Sequence, residues 1–392
     1  MRILFVIPVY TDKIGGRERY LYKISEELSK EYDVEVVTRF DIPLDYFASS
    51  NRFLASSKNK TYFNGKIKVN VIGISFFEKI WLLPVYKLYF NLKTQKIAKW
   101  LYNKVWVKKI IPFVKSADVV EYHGTGQELL SFGVLESCRI LNKPFIVLPH
   151  SHPGSWGDWG IDIKLYKSAD RIIVNSESEK QFMVSKEILA EKIRVIYGAP
   201  IIETKTCHSE DGKYFRKKYN ITGDMILFVG RKIKGKGYVS LIKAMDLVWK
   251  NNPETYFVFI GSGESIYSLK DKRVIELGWC DEFEKISAYK ACDIFCMPSY
   301  EEAFGIVYTE AWMFGKPVIG GNIPALKEVI SEGVDGLLVK QDPEDIAAAI
   351  LKLLNDKSLR DKMGIAGKKK VDEKFNWNKV TGDIKSLYNS LT

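Results

Sequence analysis

The sequence predicts an α/β protein made of two Rossmann-like, doubly wound domains that face each other across a cleft. Short apolar runs rich in β-branched residues alternate with amphipathic helical runs along nearly the whole chain, and such alternation is typical of parallel sheets covered by helices on both faces. The pattern starts again after a polar stretch at residues 203–222 that has no strand character. Because ligands bind at the carboxyl ends of such sheets, two of them in tandem indicate a binding cleft between the halves.

Thirteen runs have the strand pattern, and the helical period fills most of the gaps between them. The strand runs of the first half are RILFVIPVY, DVEVVTRF, KIKVNVIGI, DVVEYHG, PFIVLPH, RIIVNS and KIRVIYG. Those of the second half are DMILFVG, TYFVFIG, RVIELG, DIFCMPS, PVIG and DGLLV. In the first helical run, GRERYLYKISEELSKEY, Leu21, Ile24 and Leu28 share one face. We therefore expect an N-terminal domain over residues 1–202 and a C-terminal domain over residues 203–374.

Composition and the first segment favour a cytoplasmic protein, and the cysteine pattern predicts no metal site. The chain has 392 residues, of which 46% are hydrophobic and 27% charged, as in ordinary soluble proteins. Its first segment, MRILFVIPVYTDK, has a shorter apolar run than a secretory signal and fits a buried strand better. No run reaches the roughly 18 uncharged apolar residues of a membrane span. The five cysteines show no pairing pattern, and Cys207–His208 is too isolated for a zinc site.

The net charge of +11 is concentrated in residues 76–115, where nine lysines stand against one acid and ten aromatic residues are interleaved. A lysine-rich face is often only solvated surface. Lysine mixed with tryptophan and tyrosine on a helix also suits the headgroup layer of a bilayer. We therefore predict contact with an anionic membrane surface through residues 76–115, peripheral on the cytoplasmic face. We expect no nucleic-acid partner, because charges elsewhere are mixed and no nucleic-acid-binding module is recognisable.

The segment SYEEAFGIVYTEA, residues 299–311, has the pattern of a ligand-binding loop between a strand and a helix. Glu302 falls in the loop after the strand run DIFCMPS, and Glu310 falls a little over a turn into the following helix. Gly305 lets the backbone approach a ligand, and helix-start N–H groups suit a phosphate. The two carboxylates can accept hydrogen bonds from sugar and ribose hydroxyls. Glutamate is also common in first helical turns for reasons of charge alone, so the spacing by itself is a weak signal.

A second candidate loop, VGRKIKGKG at residues 229–237, follows the first strand run of the second half. Its Arg231 and Lys236 can neutralise the charge that develops on a diphosphate leaving group. Lys232 and Lys234 are expected to be solvated. At the first strand–helix junction, Gly16 and its neighbour in TDKIGGRERY offer another place where backbone can approach phosphate, although a lone glycine pair is weak evidence of one.

With these segments in view, the chain resembles the retaining family-4 glycosyltransferases of the GT-B architecture, also called group 1, over nearly its full length. The matching segments are GGRERYLYKISEEL, SADRIIVNSESEK, GRKIKGKG, PSYEEAFGIVYTEAWMFGKPVI with acids at E-x7-E spacing, and FNWNKVTGDIKSLYNSL. The last of these looks like the helix that returns to the N-terminal domain, which gives a third segment at residues 375–392.

The resemblance implies a role for each matching residue. Arg231 and Lys236 would hold the donor diphosphate, Glu310 the ribose hydroxyls and Glu302 those of the transferred sugar. The remaining implied contacts are the backbone of Phe304, Gly305 and Ile306 at sugar and phosphate, and His150 near the reacting carbon, with His123 and His152 as competing histidines. The chain departs from the pattern at Pro324–Ala325, where a glycine pair is usual, and at Tyr197–Gly198, where Asn-Gly is usual.

We therefore expect a retaining hexosyltransferase that needs neither metal nor cofactor, with a nucleotide sugar as co-substrate and UDP favoured over GDP. Its acceptor would be a hydroxyl of a lipid-linked or membrane-proximal glycan, meeting the N-terminal half near the loop HSHPGSWGDWG. Two alternatives stay open: a nucleotide-sugar epimerase of the same fold, and a non-catalytic membrane-binding protein with a vestigial pocket. A dinucleotide dehydrogenase is disfavoured because no strand run is followed by the G-x-G-x-x-G fingerprint.

Overall fold

A computed structural model of the chain describes residues 1–13, 15–41, 53–55, 57–152, 154–202, 211–263 and 271–391. The chain divides into two compact units, Met1–Ile196 with Trp377–Thr392 (unit 1) and Tyr197–Asn376 (unit 2). Residues 203–210, at the start of the polar stretch and including Cys207 and His208, lie outside the described residues.

Unit 1 is built on a sheet whose described strands number eight and lie in the order β3-β4-β2-β1-β5-β6-β7-β8. The strands are β1 (Arg2–Val9), β2 (Asp33–Phe40), β3 (Lys60–Asn64), β4 (Ile67–Val71), β5 (Val119–His123), β6 (Phe145–Leu148), β7 (Arg171–Val174) and β8 (Ile193–Val195). All pairings are parallel except that of β3 with β4. The seven strands predicted for this half are confirmed. The antiparallel edge strand β3 was not predicted, because its sequence KTYFN is mostly polar and exposed.

The described helices of unit 1 cover that sheet and include the last helix of the chain. They are α1 (Gly16–Leu28), α2 (Phe76–Tyr89), α3 (Gln95–Ser116), α4 (Leu130–Ile140), α5 (Gly160–Ser168), α6 (Glu177–Ser185) and, in chain order the last, α14 (Trp377–Asn389). The predicted face of α1 is confirmed, since Leu21, Ile24 and Leu28 are buried. Helix α14 packs beside α1 and buries the Tyr388 ring in unit 1.

Unit 2 is built on a parallel sheet with the described strands in the order β11-β10-β9-β12-β13-β14. The strands are β9 (Met225–Val229), β10 (Tyr256–Ile260), β11 (Val274–Leu277), β12 (Ile294–Met297), β13 (Val318–Gly321) and β14 (Gly336–Val339), all six as predicted. The strand order reverses between β9 and β12, which are paired through Ile294–Ile226 and Phe295–Leu227. Such a reversal leaves a crevice at the carboxyl ends of the two strands. The two candidate loops follow these two strands, so the topology brings them to one place.

The described helices of unit 2 flank this sheet on both faces. They are α7 (Asp211–Lys218), α8 (Tyr238–Trp249), α9 (Glu282–Ala291), α10 (Ile306–Met313), α11 (Pro324–Val329), α12 (Pro343–Asn355) and α13 (Lys357–Glu373). Their apolar faces close one core around the strands, with Trp312 fully buried at its α10 side. The architecture is therefore the predicted α/β, doubly wound class.

Candidate functional site

The loop after β12 and the start of α10 hold the two predicted carboxylates. Glu302 lies in the loop and Glu310 is the fifth residue of α10, as the pattern predicts. Gly305 immediately precedes the helix in a left-handed conformation, φ 83°, where a Cβ would lie 2.6 Å from the Tyr308 ring. Both the backbone angle and the lack of room require glycine here. The Ser299 hydroxyl ties the loop to its neighbour by donating to the carbonyl of Gly235, 3.1 Å away.

Lys236 and Glu302 are brought together at the crevice between β9 and β12. Lys236 Nζ lies 2.6 Å from Glu302 Oε1 and also donates to the carbonyl of Glu301. Gly237 makes this approach possible: its φ is 76°, and a Cβ there would lie 2.2 Å from the Pro298 carbonyl oxygen. The Lys236 ammonium and the Glu302 carboxylate are both largely buried, so this is a short, charge-assisted contact in a partly desolvated place.

The other three cations of the β9 loop have different surroundings. Arg231 is exposed at the end of β9, and Lys234 is exposed as predicted. The prediction for Lys232 is wrong, because its side chain is only 6% exposed and its Nζ lies 3.5 Å from Glu276 Oε2. Glu276 on β11 also accepts from the Tyr238 hydroxyl. The loop therefore presents Arg231 to solvent and keeps Lys232 for an internal ion pair.

Glu310 is held by two residues of α9 that sequence reasoning missed. Its carboxylate, 1% exposed, lies 3.3 Å from Lys285 Nζ and accepts a hydrogen bond of 3.0 Å from the Tyr289 hydroxyl. Lys285 is itself buried on α9. A lysine on the buried side of a helix is the signal that could have found it, since buried lysines are almost always paired.

Phe304 and Ile306, predicted through their backbones, flank Gly305. The Phe304 ring points into the core of unit 2, with its centroid 5.2 Å from that of Phe375 and 6.2 Å from that of Tyr197. Gly198 lies against this ring, and a Cβ there would be 2.8 Å from Phe304 Cδ1. The glycine of the unusual Tyr197–Gly198 pair is thus needed for packing under Phe304.

The second departure from the usual pattern, Pro324–Ala325, lies at the start of a helix. Pro324 is the first residue of α11, a position where the missing N–H forfeits no helical hydrogen bond. The preceding Gly321 lies against the β12 loop, because a Cβ there would be 1.9 Å from the Ser299 carbonyl oxygen.

In unit 1, His150 belongs to a chain of polar contacts. It follows β6 in a left-handed conformation, φ 51°, and its Nε2 lies 3.4 Å from Nδ1 of His123. His123 is fully buried and its Nε2 lies 2.7 Å from Glu121 Oε1, while the Tyr388 hydroxyl donates to Glu121 Oε2 at 2.7 Å. Of the competing histidines, His123 is therefore occupied in the core, and His152 pairs through its backbone with Trp156.

Burial holds the pKa of His150 well below its ordinary value of 6.5, and the neighbouring His123, Arg17 and His152 lower it further. A hydrogen bond with Asn175 acts in the opposite direction and raises it. The unfolded chain takes up this proton near pH 6.5 whereas the folded chain resists it, so acid favours unfolding. The free energy of unfolding should thus fall below pH 6.5 by up to about 1.4 kcal/mol per pH unit from this group. Urea unfolding at several pH values should show a shallower fall in His150→Asn, which tolerates the left-handed backbone. If the free energy of unfolding fell equally steeply with pH in both proteins, His150 would not be the group responsible.

Gly16 is the first residue of α1 and has open space where its side chain would be. Gly15 before it has φ 64°, and a Cβ there would lie 1.9 Å from Glu18 Oε2. Arg17 forms ion pairs with Glu18 at 2.9 Å and with Glu128 at 2.8 Å. The predicted site residues therefore form two groups: Gly16 and His150 in unit 1, and all the others in unit 2.

The described residues contain neither a candidate metal cluster nor a candidate membrane span. Within them, no group of three or more His, Cys, Asp or Glu side chains is arranged to hold a metal ion. No helix of that part of the chain has the length and apolar character required to cross a bilayer.

Comparison with known proteins places the chain among enzymes that transfer sugars. Residues 213–370 match the family described as glycosyl transferases group 1, and residues 14–199 match glycosyltransferase family 4. An uncharacterised glycosyltransferase of Methanocaldococcus jannaschii is 26% identical over 99% of this chain and 98% of its own length. The phosphatidyl-myo-inositol mannosyltransferase of Mycobacterium tuberculosis is 29% identical over 44% of this chain and 49% of its own. The crystal structure of Anabaena HepE in complex with UDP-glucose has the same fold, with a TM-score of 0.76 at 20% identity and full coverage of both chains.

Proposed function

Since the chain belongs to the family-4, group 1 glycosyltransferases of GT-B architecture, we propose that it moves a sugar from a nucleotide sugar to a hydroxyl acceptor, with retention of configuration and without a metal. UDP is the proposed nucleotide, in preference to GDP. The acceptor is a lipid-linked or membrane-proximal glycan on the cytoplasmic face of a membrane.

The observation that carries the donor part of this proposal is the contact between Lys236 and Glu302 in unit 2. An ammonium has three N–H donors, and two of them are directed at Glu302 Oε1 and the Glu301 carbonyl. The third remains for a phosphate oxygen, and Arg231, exposed in the same loop, is the second proposed phosphate ligand. The same lysine thereby fixes the carboxylate that would hold the sugar hydroxyls and neutralises the leaving diphosphate.

The proposed reaction requires that donor and acceptor are correctly positioned and that the charge on the leaving diphosphate is stabilised. As the bond from the anomeric carbon to the phosphate oxygen breaks, negative charge grows on the diphosphate, and Arg231 and Lys236 stabilise it. The departing phosphate oxygen takes the proton of the acceptor hydroxyl, which attacks the same face of the sugar. Retaining glycosidases instead use a carboxylate nucleophile on the far face. Glu302 and Glu310 are proposed to bind hydroxyls of the donor, so neither is proposed as a nucleophile.

Two similarities support the choice of substrates. HepE, whose fold this chain shares, was crystallised with UDP-glucose. The mycobacterial relative is a phosphatidyl-myo-inositol mannosyltransferase by name, and phosphatidyl-myo-inositol is a lipid. We propose that the acceptor contacts unit 1 near residues 150–160, HSHPGSWGDWG, and His150 is the residue proposed to act there.

The test is a thermal-shift titration with UDP, GDP and ADP, each with and without a chelator. A ligand at about 100 times its dissociation constant stabilises a protein by about 2.7 kcal/mol, which gives a clear rise in Tm. We expect UDP to give the largest rise, chelator to leave it unchanged, and Arg231→Ala to abolish it. Lys234→Ala, in the same loop, is the matched control and should keep the shift. No response to any nucleotide would contradict the proposal and favour a non-catalytic binding protein.

A further inference from the structure

Helix α2 carries large apolar side chains on its exposed surface as well as on its buried side. Leu82, Val85 and Tyr89 form the buried side. The rest of the circumference carries Phe76, Ile80 and Leu83 in positions i, i+4 and i+7, together with Phe77, Trp81 and Tyr86, and all six are exposed. A contiguous exposed surface of large apolar side chains marks a contact with a protein or a membrane. The described part of unit 1 covers only one side of α2, so the remaining sides need another environment.

The exposed apolar surface continues past the end of α2. Ten large hydrophobic side chains between residues 76 and 100 are exposed, and they include Phe77 at 81% and Leu92 at 85%. Leu92 lies in the turn between α2 and α3, and Trp100 lies on the first part of α3. The other side of α3 is anchored in unit 1 through Tyr102, Trp106 and Ile110, which are fully buried. We call the surface formed by α2, the turn and the first part of α3 the apolar ridge. The buried side of α3 attaches this ridge to unit 1.

Exposed cations alternate along the chain with the apolar side chains of this region. Lys79 and Lys87 on α2, Lys93 in the turn and Lys96 on α3 are exposed. The one acid of residues 76–115, Glu78, is already engaged: it caps α2 and lies 3.0 Å from Lys109 Nζ. Within residues 76–115 the ridge therefore offers several exposed positive charges, and the one acid of that stretch is already paired.

We infer that the apolar ridge docks the enzyme on an anionic lipid bilayer, with α2 lying in the headgroup layer. Helix α2 has 14 residues, too few for a span of roughly 20, and it contains Pro84, so it lies along the surface and does not cross it. The apolar side chains enter the acyl boundary and the lysines pair with lipid phosphates. A second copy of the chain is a poor occupant, because it would bring two lysine-rich faces together. This inference goes beyond the proposed function and does not depend on the donor chemistry of unit 2.

The experiment is co-sedimentation of the full chain with vesicles of phosphatidylcholine alone or of phosphatidylcholine with phosphatidylglycerol. We expect binding to the anionic vesicles, weakened by salt, and little binding to neutral ones. Two variants test the two components: Phe76→Ser/Phe77→Ser/Leu83→Ser for the apolar part, and Lys79→Glu/Lys87→Glu for the charge. Each should weaken binding to anionic vesicles at least about tenfold.

Matched controls lie on other exposed surfaces. Ile140→Ser/Val334→Ser/Ile365→Ser removes three exposed apolar side chains elsewhere, and Lys362→Glu/Lys368→Glu makes the same change of net charge on α13. Both controls should bind vesicles as the unmodified chain does. Every variant is also checked for an unchanged Tm and for its shift with UDP, which separates a failure of docking from a failure of the donor site.

Three outcomes would overturn the inference. The first is that the unmodified chain does not bind anionic vesicles, and the second is that the ridge variants bind them as tightly as their controls. The third is a dimer in sedimentation velocity that the Phe76→Ser/Phe77→Ser/Leu83→Ser variant loses, without any lipid binding, because the ridge would then be an interface between copies.

Discussion

Replacing Lys236 with alanine should lower the rate of UDP release from a UDP-sugar by about two to three orders of magnitude. The ammonium lies 2.6 Å from Glu302 Oε1 and is the proposed partner of the leaving diphosphate. Its loss removes a preorganised charge and leaves the largely buried Glu302 carboxylate without that partner. The substitution should therefore weaken both the binding of UDP and the step in which the sugar leaves.

The measurement is the initial rate of UDP release, with a membrane extract as the source of acceptor, together with the Kd for UDP by calorimetry. Lys234→Ala is the matched control, because Lys234 is exposed in the same loop, and its rate should stay within about twofold of the unmodified rate. Lys236→Arg keeps the charge and should recover part of the rate. If Lys236→Ala and Lys234→Ala had the same rate, the donor site would have to be sought elsewhere.

The central strands were predictable because burial on both faces leaves a continuous apolar run. β9 reads MILFV and all five residues are buried, and its short length between Gly223 and Gly230 favours a strand over a buried helix. The edge strand β3 has no such signal: its residues are mostly exposed and its place is set by pairing with β4. Tertiary pairing, which a local pattern does not contain, decides such strands.

The loops of the candidate site could be predicted from the sequence. The partners of some of its charged side chains could not. Glu302, Gly305 and Lys236 lie in short loops whose glycines mark where backbones approach. Lys232 and Lys285 were misread or missed because their partners, Glu276 and Glu310, come from other elements. A single sequence shows that a lysine is present, and only the packing of β11 and α9 shows which acid it meets.

The role of the lysine-rich stretch, residues 76–115, was likewise predictable only in part from the sequence. Composition alone could indicate a membrane surface, but it does not show which aromatic residues are in the core. Trp106 and Trp100 lie six residues apart on α3, and the first is fully buried whereas the second is exposed. The exposed set that defines the apolar ridge comes from the structure.

Both predicted donor carboxylates are paired with a lysine: Glu302 with Lys236 and Glu310 with Lys285. The two pairs differ in whether a bound ligand can reach the lysine. Lys236 has a donor that can turn to a phosphate, whereas Lys285 lies buried on α9 against a carboxylate that is 1% exposed. We therefore expect the first pair to act mainly in binding and turnover, and the second to contribute to folding as well.

Glu310→Gln should lower the free energy of unfolding by about 3 kcal/mol, because it removes the negative charge that lies 3.3 Å from the buried Lys285 ammonium. Urea unfolding measures this change. The double variant Lys285→Met/Glu310→Gln removes the charge as well and should recover most of the lost stability, since replacing a whole buried pair is often nearly neutral. If Glu310 also holds the ribose hydroxyls, the refolded double variant should still bind UDP at least about tenfold more weakly, a loss of 1.4 kcal/mol. Recovery of both stability and UDP binding would mean that Glu310 serves the fold alone. A Glu310→Gln protein as stable as the unmodified chain would contradict the importance of the Lys285 pair.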